Sequence, residues 1–327
     1  MKSQFAGNFE SVASVENLLG AWQEFLPGKR KKVDVQEFQL HLMDNILALH
    51  ADLVNGTYRH GSYQHFKISD PKPRDIHKAS VRDRLLHHAI YRQLYPFFDK
   101  TFIADSFSCR LGKGTHAAMD RFCRFGYQVG KNNTRTCWIL KCDIRKFFAS
   151  IDHQILLGIL RSYIPNVKIM RLLREIIESF PVGLPLGNLT SQLFVNIYMN
   201  EFDQFAKHQL KAKQYVRYAD DFAIPSSNRQ WLEIILPEID AFLRNSLKLH
   251  LHPDKVSIKT FASGEDFLGW VHFPDHRVLR TKTKRRMMKR IMTNPKEGTF
   301  QSYRGLLSHG SAKKLGAWIS AFAGMTE

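Results

Sequence analysis

Apolar residues recur at helical spacing from Phe38 through Leu42, Ile46, Leu47 and Leu53, and Asn55-Gly56 ends the run. That period predicts a helix with one buried face, stopped by a residue able to turn left-handed. Residues 57–80 lose the period and carry Pro71 and Pro73, which predicts short strands around a Pro-rich turn. Residues 81–99 regain it and predict an amphipathic helix. Residues 137–143 (Cys-Trp-Ile-Leu-Lys-Cys-Asp) are a short apolar run closed by an acid, as a buried strand is. Helices are predicted from about Phe148 to Tyr163 and over 189–207, with Leu193, Ile197 and Phe202 on or near one face. Residues 214–224 predict two strands pinched at two aspartates, 230–247 a helix, and 266–280 a hairpin turning near Pro274-Asp275. The last 45 residues read as helical and basic. There is no internal repeat or low-complexity linker. The order strand, helix, helix, strand hairpin, helix, hairpin fits an α+β protein with a split βαβ sheet and helices on one face. Such a sheet would hold Asp143 and Asp220 on neighbouring strand ends.

Composition excludes a disordered or fibrous chain, because 44% of the 327 residues are hydrophobic and 24% charged. Charge adds a partner class. The formal net charge is +18, and a protein this basic implies a polyanion, nucleic acid before anionic membrane. Residues 271–327 hold 12 Lys or Arg against 3 acids, about half of that net charge. Their centre, Arg277 to Arg290, has eight basic residues and no acid. It also carries Val278, Leu279, Met287 and Met288, so it can dock on a core while presenting cations. A smaller basic run is Lys29–Lys32. The cysteines at 109, 123, 137 and 142 form no CxxC pair, so neither a zinc signature nor a dense disulfide framework is expected. No stretch reaches 18 apolar residues and no secretory signal is readable, so a cytoplasmic protein without membrane contact is expected.

The string Tyr218-Ala219-Asp220-Asp221 is the most informative. Two adjacent carboxylates between apolar strands repel each other unless a cation neutralises them. A solvated turn is the plainer origin for such a string, since Asp is common in turns. Upstream, Leu140-Lys141-Cys142-Asp143 closes an apolar strand with a third acid. Three carboxylates at one sheet mouth can hold two Mg²⁺, which takes oxygen ligands and completes its shell with substrate phosphates. Two such ions ~3.5–4 Å apart stabilise the attacking and leaving oxygens of a phosphoryl transfer. That is chemistry for extending a nucleic-acid 3′ end.

The chain resembles a reverse transcriptase over most of its length. The resemblance rests on Lys72-Pro73-Arg74 with Asp83-Arg84, on Cys109 to Ala117, on Asp143-Ile144-Arg145-Lys146-Phe147-Phe148, on Gly183 to Gln192, on Tyr218 to Asp221, and on Phe267-Leu268-Gly269-Trp270, in the family's order. It implies a right-hand polymerase fold. Residues 1–56 would be an N-terminal helical extension and 57–136 the fingers, with 153–182 contributing to fingers or palm. Residues 137–265 would be the palm, and 266–327 a primer-grip hairpin and a small helical thumb. It makes Asp143, Asp220 and Asp221 catalytic metal ligands, with the Ile144 carbonyl beside them. The cofactor it implies is Mg²⁺, two ions, with Mn²⁺ as a substitute.

It further sets Lys72, Arg74, Arg145, Lys146, Phe147, Phe148, Leu186, Gly187, Gln192 and Lys255 around the incoming dNTP. Arg74 resembles the fingers residue that forks onto the triphosphate; a solvated loop cation is the alternative. Phe148 resembles the sugar gate against a ribose 2′-hydroxyl, with ordinary core as the alternative. Lys255 resembles the lysine near the leaving pyrophosphate, although Lys248 and Lys259 are close in sequence. Phe267 to Trp270 resembles the primer grip, or is a plain hydrophobic hairpin. Arg280, Lys282, Lys284, Arg285, Arg286, Lys289 and Arg290 would contact the nucleic-acid backbone.

Leu186-Gly187-Asn188-Leu189-Thr190-Ser191-Gln192 narrows the subfamily. Most reverse transcriptases have Gln first and Pro last in this stretch. The pattern here is similar to the reverse transcriptases of diversity-generating retroelements, which copy a template-repeat RNA into cDNA with frequent errors at adenines. The partners implied are template RNA, the RNA/cDNA duplex, dNTPs and a small, basic, oligomeric accessory variability protein. Two other readings stand beside it. One is another bacterial reverse transcriptase, group II intron-like or of the phage-defence type. The other is a catalytically idle RNA-binding scaffold, which retention of all three aspartates disfavours.

Overall fold

The computed structural model describes residues 3–69 and 73–324. In chain order the elements are α1 (Phe9–Ala13), α2 (Val15–Phe25), α3 (Val33–Leu40), α4 (Leu42–Asn55), β1 (Gln64–Ile68), β2 (Arg74–Lys78), α5 (Val81–Asp99), α6 (Thr115–Val129), β3 (Trp138–Asp143), α7 (His153–Tyr163), α8 (Val167–Glu178), α9 (Leu189–Gln204), β4 (Val216–Tyr218), β5 (Asp221–Ser226), α10 (Arg229–Leu247), β6 (Ser257–Thr260), β7 (Glu265–Phe267), β8 (Trp270–His272), β9 (Arg277–Leu279), α11 (Thr281–Thr293), α12 (Glu297–Leu307) and α13 (Lys313–Gly324). They fall into two units, residues 1–104, 144–205 and 240–250, and residues 105–143, 206–239 and 251–327.

The first unit is mostly helical. α2 packs on α5, and α5 on α9. Leu18, Phe25, Leu85, Leu86, Ala89 and Phe98 from α2 and α5, and Tyr198, Met199 and Phe202 from α9, are fully buried. Ser80 caps α5 reciprocally: its Oγ accepts from the Asp83 N–H at 3.1 Å and donates to Asp83 Oδ2 at 2.6 Å. Gly56 ends α4 at φ +69°, the left-handed closure that Asn55-Gly56 predicts. β1 and β2 are the expected short strands and pair antiparallel, Gln64 opposite Lys78 and Ile68 opposite Arg74, while residues 70–72 of the expected Pro-rich turn lie outside the described residues. Lys72 lies outside the described residues. The helix expected from Phe148 to Tyr163 is instead a 3₁₀ turn, Phe147–Ser150, followed by α7. Asp152 interrupts it, because its carboxylate accepts from the Ile155 N–H at 3.0 Å and restarts the helix there.

The second unit holds a four-stranded sheet in the order β4-β5-β3-β6, antiparallel throughout. α6 lies against β4 and β5. Phe122, Ile139, Val216, Ala223, Phe261 and Phe267 share the core behind it. The expected single hairpin over 266–280 is a three-stranded meander, β7-β8-β9. Leu268 and Gly269, at φ +55° and +89°, make an extra two-residue turn. Below it, Trp270 and Leu279 share a core with Met287 and Ile291 of α11, Phe300 of α12 and Ile319 of α13. Among the described residues no helix is long and apolar enough to cross a membrane.

Candidate active site

β3 ends on Asp143, and its ladder with β5 sets Asp143 directly opposite Asp221. β4 and β5 are joined by Ala219 and Asp220 alone, with Tyr218 opposite Asp221. Ala219 takes φ +55°, a left-handed conformation that costs a residue with a Cβ roughly 1–2 kcal/mol. The turn is held from behind by Arg217, which is fully buried on β4. Its Nη1 donates to the Ala219 carbonyl at 3.1 Å and its Nη2 to Ser106 Oγ at 3.0 Å. All three aspartates therefore lie at one end of one sheet.

Their surroundings differ. Burial and the neighbouring Asp143 charge push the Asp220 carboxyl above the usual range, against the pull of Lys255 and Lys141. Asp143 accepts from Lys255 Nζ at 2.8 Å. The 3₁₀ turn carrying that lysine, Pro253–Lys255, is fixed by the His252 N–H donating to the Asp143 carbonyl at 2.8 Å. Lys255 is half exposed. Asp221 instead pairs with Lys141, two residues before Asp143 and on the same strand face. Burial pushes the Asp221 carboxyl up to about 7 although Lys141 opposes it. Burial works against the Lys141 charge, but Asp221, Asp143 and Glu265 outweigh it and hold the ammonium protonated.

This donor set suits a hard dication. Asp143 and Asp220 are hard carboxylate ligands close enough for one charge to act on the other, and their repulsion is incompletely neutralised. Among the described residues no three of His, Cys, Asp and Glu are grouped to hold an ion unaided.

The other nucleotide-facing candidates belong to the helical unit. Leu186 is half-buried, and its carbonyl accepts from the His77 N–H of β2 at 3.1 Å. Arg74, exposed, begins the same strand. Gly187 takes φ +118°, and a Cβ there would lie 3.2 Å from Ile76 Cγ2. The Phe148 carbonyl accepts from the Leu184 N–H at 2.8 Å. A Cβ on Gly183 (φ +69°) would meet that carbonyl oxygen at 2.3 Å, so only glycine allows this approach. Phe148 is half-buried, Phe147 is core, and Arg145 and Lys146 are exposed. Gln192 is half-buried in the first turns of α9.

In the second unit Phe267 and Trp270 are core, while Leu268 and Gly269 form the more accessible tip of their hairpin. α11 presents Lys282, Lys284, Arg285, Lys289 and Arg290 outward, with Arg286 half-buried and Met287 and Ile291 inward. Arg280 is tied to Asp266 at 2.9 Å. Sequence reasoning missed Lys141 and Arg217. Counting back two residues from Asp143 finds the first. Nothing local finds the second.

Residues 67–273, more than half of the chain, match the family model described as reverse transcriptase (RNA-dependent DNA polymerase), so the chain belongs to that family. By class it is an RNA-directed DNA polymerase with the mixed helix-and-sheet right-hand polymerase fold. It is 26% identical over 303 residues to Protein YkfC of Escherichia coli (strain K12), covering 79% of this chain and 77% of that protein. It is 23% identical over 296 residues to the group II intron-encoded protein LtrA of Lactococcus lactis subsp. cremoris, covering 68% of this chain and 47% of LtrA. Among solved structures, telomerase from Candida albicans, determined with a TWJ fragment of telomeric RNA, superposes with a TM-score of 0.51 at 11% identity. That match covers 69% of this chain and 48% of the telomerase chain, and the likeness is one of fold. The chain spans about half the length of the last two proteins.

Proposed function

We propose that this chain copies a template-repeat RNA into error-prone cDNA by two-Mg²⁺ nucleotidyl transfer, as diversity-generating retroelement reverse transcriptases do. The observation that carries the chemistry is the meeting of Asp143 and Asp220 at one sheet end. The Leu186–Gln192 stretch carries the subtype. Asp143 and Asp220, with the Ile144 carbonyl and Asp221 as third carboxylate, would hold Mg²⁺. Two ions held there by Asp143, Asp220 and Asp221 would supply Lewis-acid chemistry, lowering the pKa of the primer 3′-hydroxyl and stabilising the oxygens of the transfer. Lys255 leaves Asp143 for the pyrophosphate. Arg74 forks onto the triphosphate and Phe148 bars a 2′-hydroxyl. In this reading residues 57–136 are fingers, with 153–182 contributing to fingers or palm, 137–265 palm, and 266–327 primer-grip hairpin and thumb, and an accessory variability protein assists.

Leu186 is the residue proposed to lower fidelity. A glutamine there can hydrogen-bond the incoming nucleotide and fix its pose. A leucine cannot, which weakens discrimination by on the order of 1 kcal/mol, or several-fold. The test is to copy a defined RNA containing all four bases with primer, Mg²⁺ and dNTPs, then sequence the cDNA. Errors concentrated at template adenines are expected, and Leu186→Gln should reduce them several-fold. Faithful cDNA sinks the mutagenic assignment, and an error spectrum unmoved by Leu186→Gln takes Leu186 out of it.

A second reading, a group II intron-like reverse transcriptase, is favoured by the likeness to the intron-encoded LtrA. Faithful cDNA from the same experiment supports it.

The outward cations of α11 are proposed to grip backbone phosphates. Replacing Lys282, Lys284 and Lys289 together with Ala should flatten the slope of log affinity for primer–template against log salt by about 2 to 3, with base sequence immaterial. A filter-binding titration between low and physiological salt measures this. An unchanged slope removes α11 from the grip.

A further inference from the structure

α9 begins without a cap of its own. Asn188, at the N-cap position, makes no side-chain hydrogen bond to the helix, and Gly187 before it is at φ +118°. A helix entrance of this kind needs anchors from outside. One is the bond from the β2 backbone to the Leu186 carbonyl. The other is side-chain chemistry deep in the same unit. Thr190, in the first turn of α9, is 1% exposed, and its Oγ1 is hydrogen-bonded to Nδ1 of His87, which is 2% exposed on α5.

That bond is the end of a chain whose proton positions can be worked out. His60 Nδ1 lies 2.7 Å from the Gly61 carbonyl, which only accepts, so this nitrogen carries a hydrogen. In a neutral imidazole the other nitrogen then accepts. His60 Nε2 lies 3.2 Å from His87 Nε2, so His87 is the donor of that pair. His87 Nδ1 is left as the acceptor, and the Thr190 hydroxyl donates to it. Burial pushes His87 down to about 3, so its ring is neutral at working pH. Tyr63 does not compete for the proton. Its hydroxyl donates at 2.8 Å to Ser179 Oγ, whose own hydrogen goes to the Ile176 carbonyl at 2.7 Å. The His60 backbone N–H is anchored on Glu175 at 3.1 Å. With His60 neutral, the Gly61 carbonyl sets the polarity of a chain that runs from this accessible end to the buried first turn of α9.

We infer that His87 is a positioning residue for nucleotide selection, setting the Leu186–Gln192 stretch through Thr190. The inference rests on the proposed reading of that stretch as facing the incoming nucleotide. His87 touches no reacting group. Its removal takes the acceptor from the buried Thr190 hydroxyl and releases the entrance of α9, while His60 Nε2 keeps the Tyr63 hydroxyl at 3.3 Å. The aspartates are untouched.

The test measures KM and kcat for dNTP incorporation, with misincorporation frequency, in the full chain carrying His87→Ala, His87→Gln, Thr190→Val or Leu186→Gln. His87→Ala should raise KM for dNTP about tenfold and raise misincorporation, with kcat within about threefold of wild type. His87→Gln sets an uncharged donor and acceptor side by side, as imidazole does, and should restore KM to within about threefold. Thr190→Val keeps the side chain's shape, removes the donor from the other end, and should reproduce the KM effect if His87→Ala does not fold. A fall in kcat at unchanged KM, or no rescue by Gln, overturns the inference. So does an unmoved KM in Thr190→Val. If Leu186→Gln still alters selection in those cases, the reading of the stretch stands and only His87's role is lost. If neither Leu186→Gln nor His87→Ala moves KM or fidelity, the reading of the stretch fails and the inference with it.

Discussion

Asp220→Asn should abolish primer extension, by at least about a thousandfold, while raising the unfolding temperature of the metal-free protein. The two effects share one cause. Asp220 sits partly buried against the Asp143 charge, and both push its carboxyl upward. A carboxyl with a higher proton affinity folded than unfolded penalises the folded state whenever it is ionised. The asparagine amide has the same shape and no charge, so the penalty disappears. The gain is present near neutral pH, shrinks as pH falls through the folded pKa, and is gone below the ordinary carboxylate range. It should be worth about 2 °C in a chain of this size. Mg²⁺ should stabilise the wild type, because an ion held by the folded state alone shifts the equilibrium by mass action, and should leave the variant unmoved. Thermal melts with and without Mg²⁺, beside primer extension and RNA binding, give all the readings. RNA affinity should be unchanged. Retention of more than about a tenth of the activity would take Asp220 out of the reacting pair.

Such a site trades stability for chemistry, and that trade decides what could be read from the sequence. α5 is expected over 81–99 and found there, because Ser80 and Asp83 announce its start and its apolar face has one period. β3 is equally plain, an apolar run closed by an acid. β6 goes unread: Ser257-Ile258-Lys259-Thr260 is an edge strand with nothing fully buried, so it carries no pattern. α8 goes unread for another reason, since its stripe of Ile169, Leu172, Leu173, Ile176 and Ile177 is present behind an Asn166 cap but lies between motifs. At the site, the carboxylates stand out because paired acids among apolar residues are costly. Their counter-ions do not. Lys141 resembles any strand lysine until β5 brings Asp221 to it across 80 residues of chain.

Arg217 is the extreme case, and its replacement is expected to have the second large effect. A charge in the middle of Tyr215-Val216-Arg217-Tyr218 suggests a solvent-facing position, yet the side chain is fully buried. The reason is 111 residues away. Residues 105–107 run along the outer edge of β4, the Arg217 N–H donating to the Asp105 carbonyl at 3.0 Å and the Phe107 N–H to the Arg217 carbonyl at 3.0 Å. That segment covers the strand edge and supplies Ser106 to the guanidinium. Arg217→Met keeps most of the apolar stem and strips the donors. The Ala219 carbonyl and Ser106 Oγ then lose bonds worth about 1.5–3 kcal/mol each when the donor is charged. With partial relaxation the loss should be about 3–5 kcal/mol, a large share of the stability of any folded domain. Arg217→Lys keeps the charge but not the fork that reaches two acceptors, and should fall between. The site should suffer as well. Ala219 sits at φ +55° with its carbonyl clamped by Arg217, and the next residue is Asp220. Releasing the clamp lets the strained turn relax and moves that carboxylate, so kcat should fall at least about tenfold at temperatures where Arg217→Met is still folded. Urea denaturation and steady-state extension at low temperature separate the two losses. A variant destabilised by less than about 1 kcal/mol, or one unstable but with normal kcat while folded, would show that the turn holds Asp220 without Arg217.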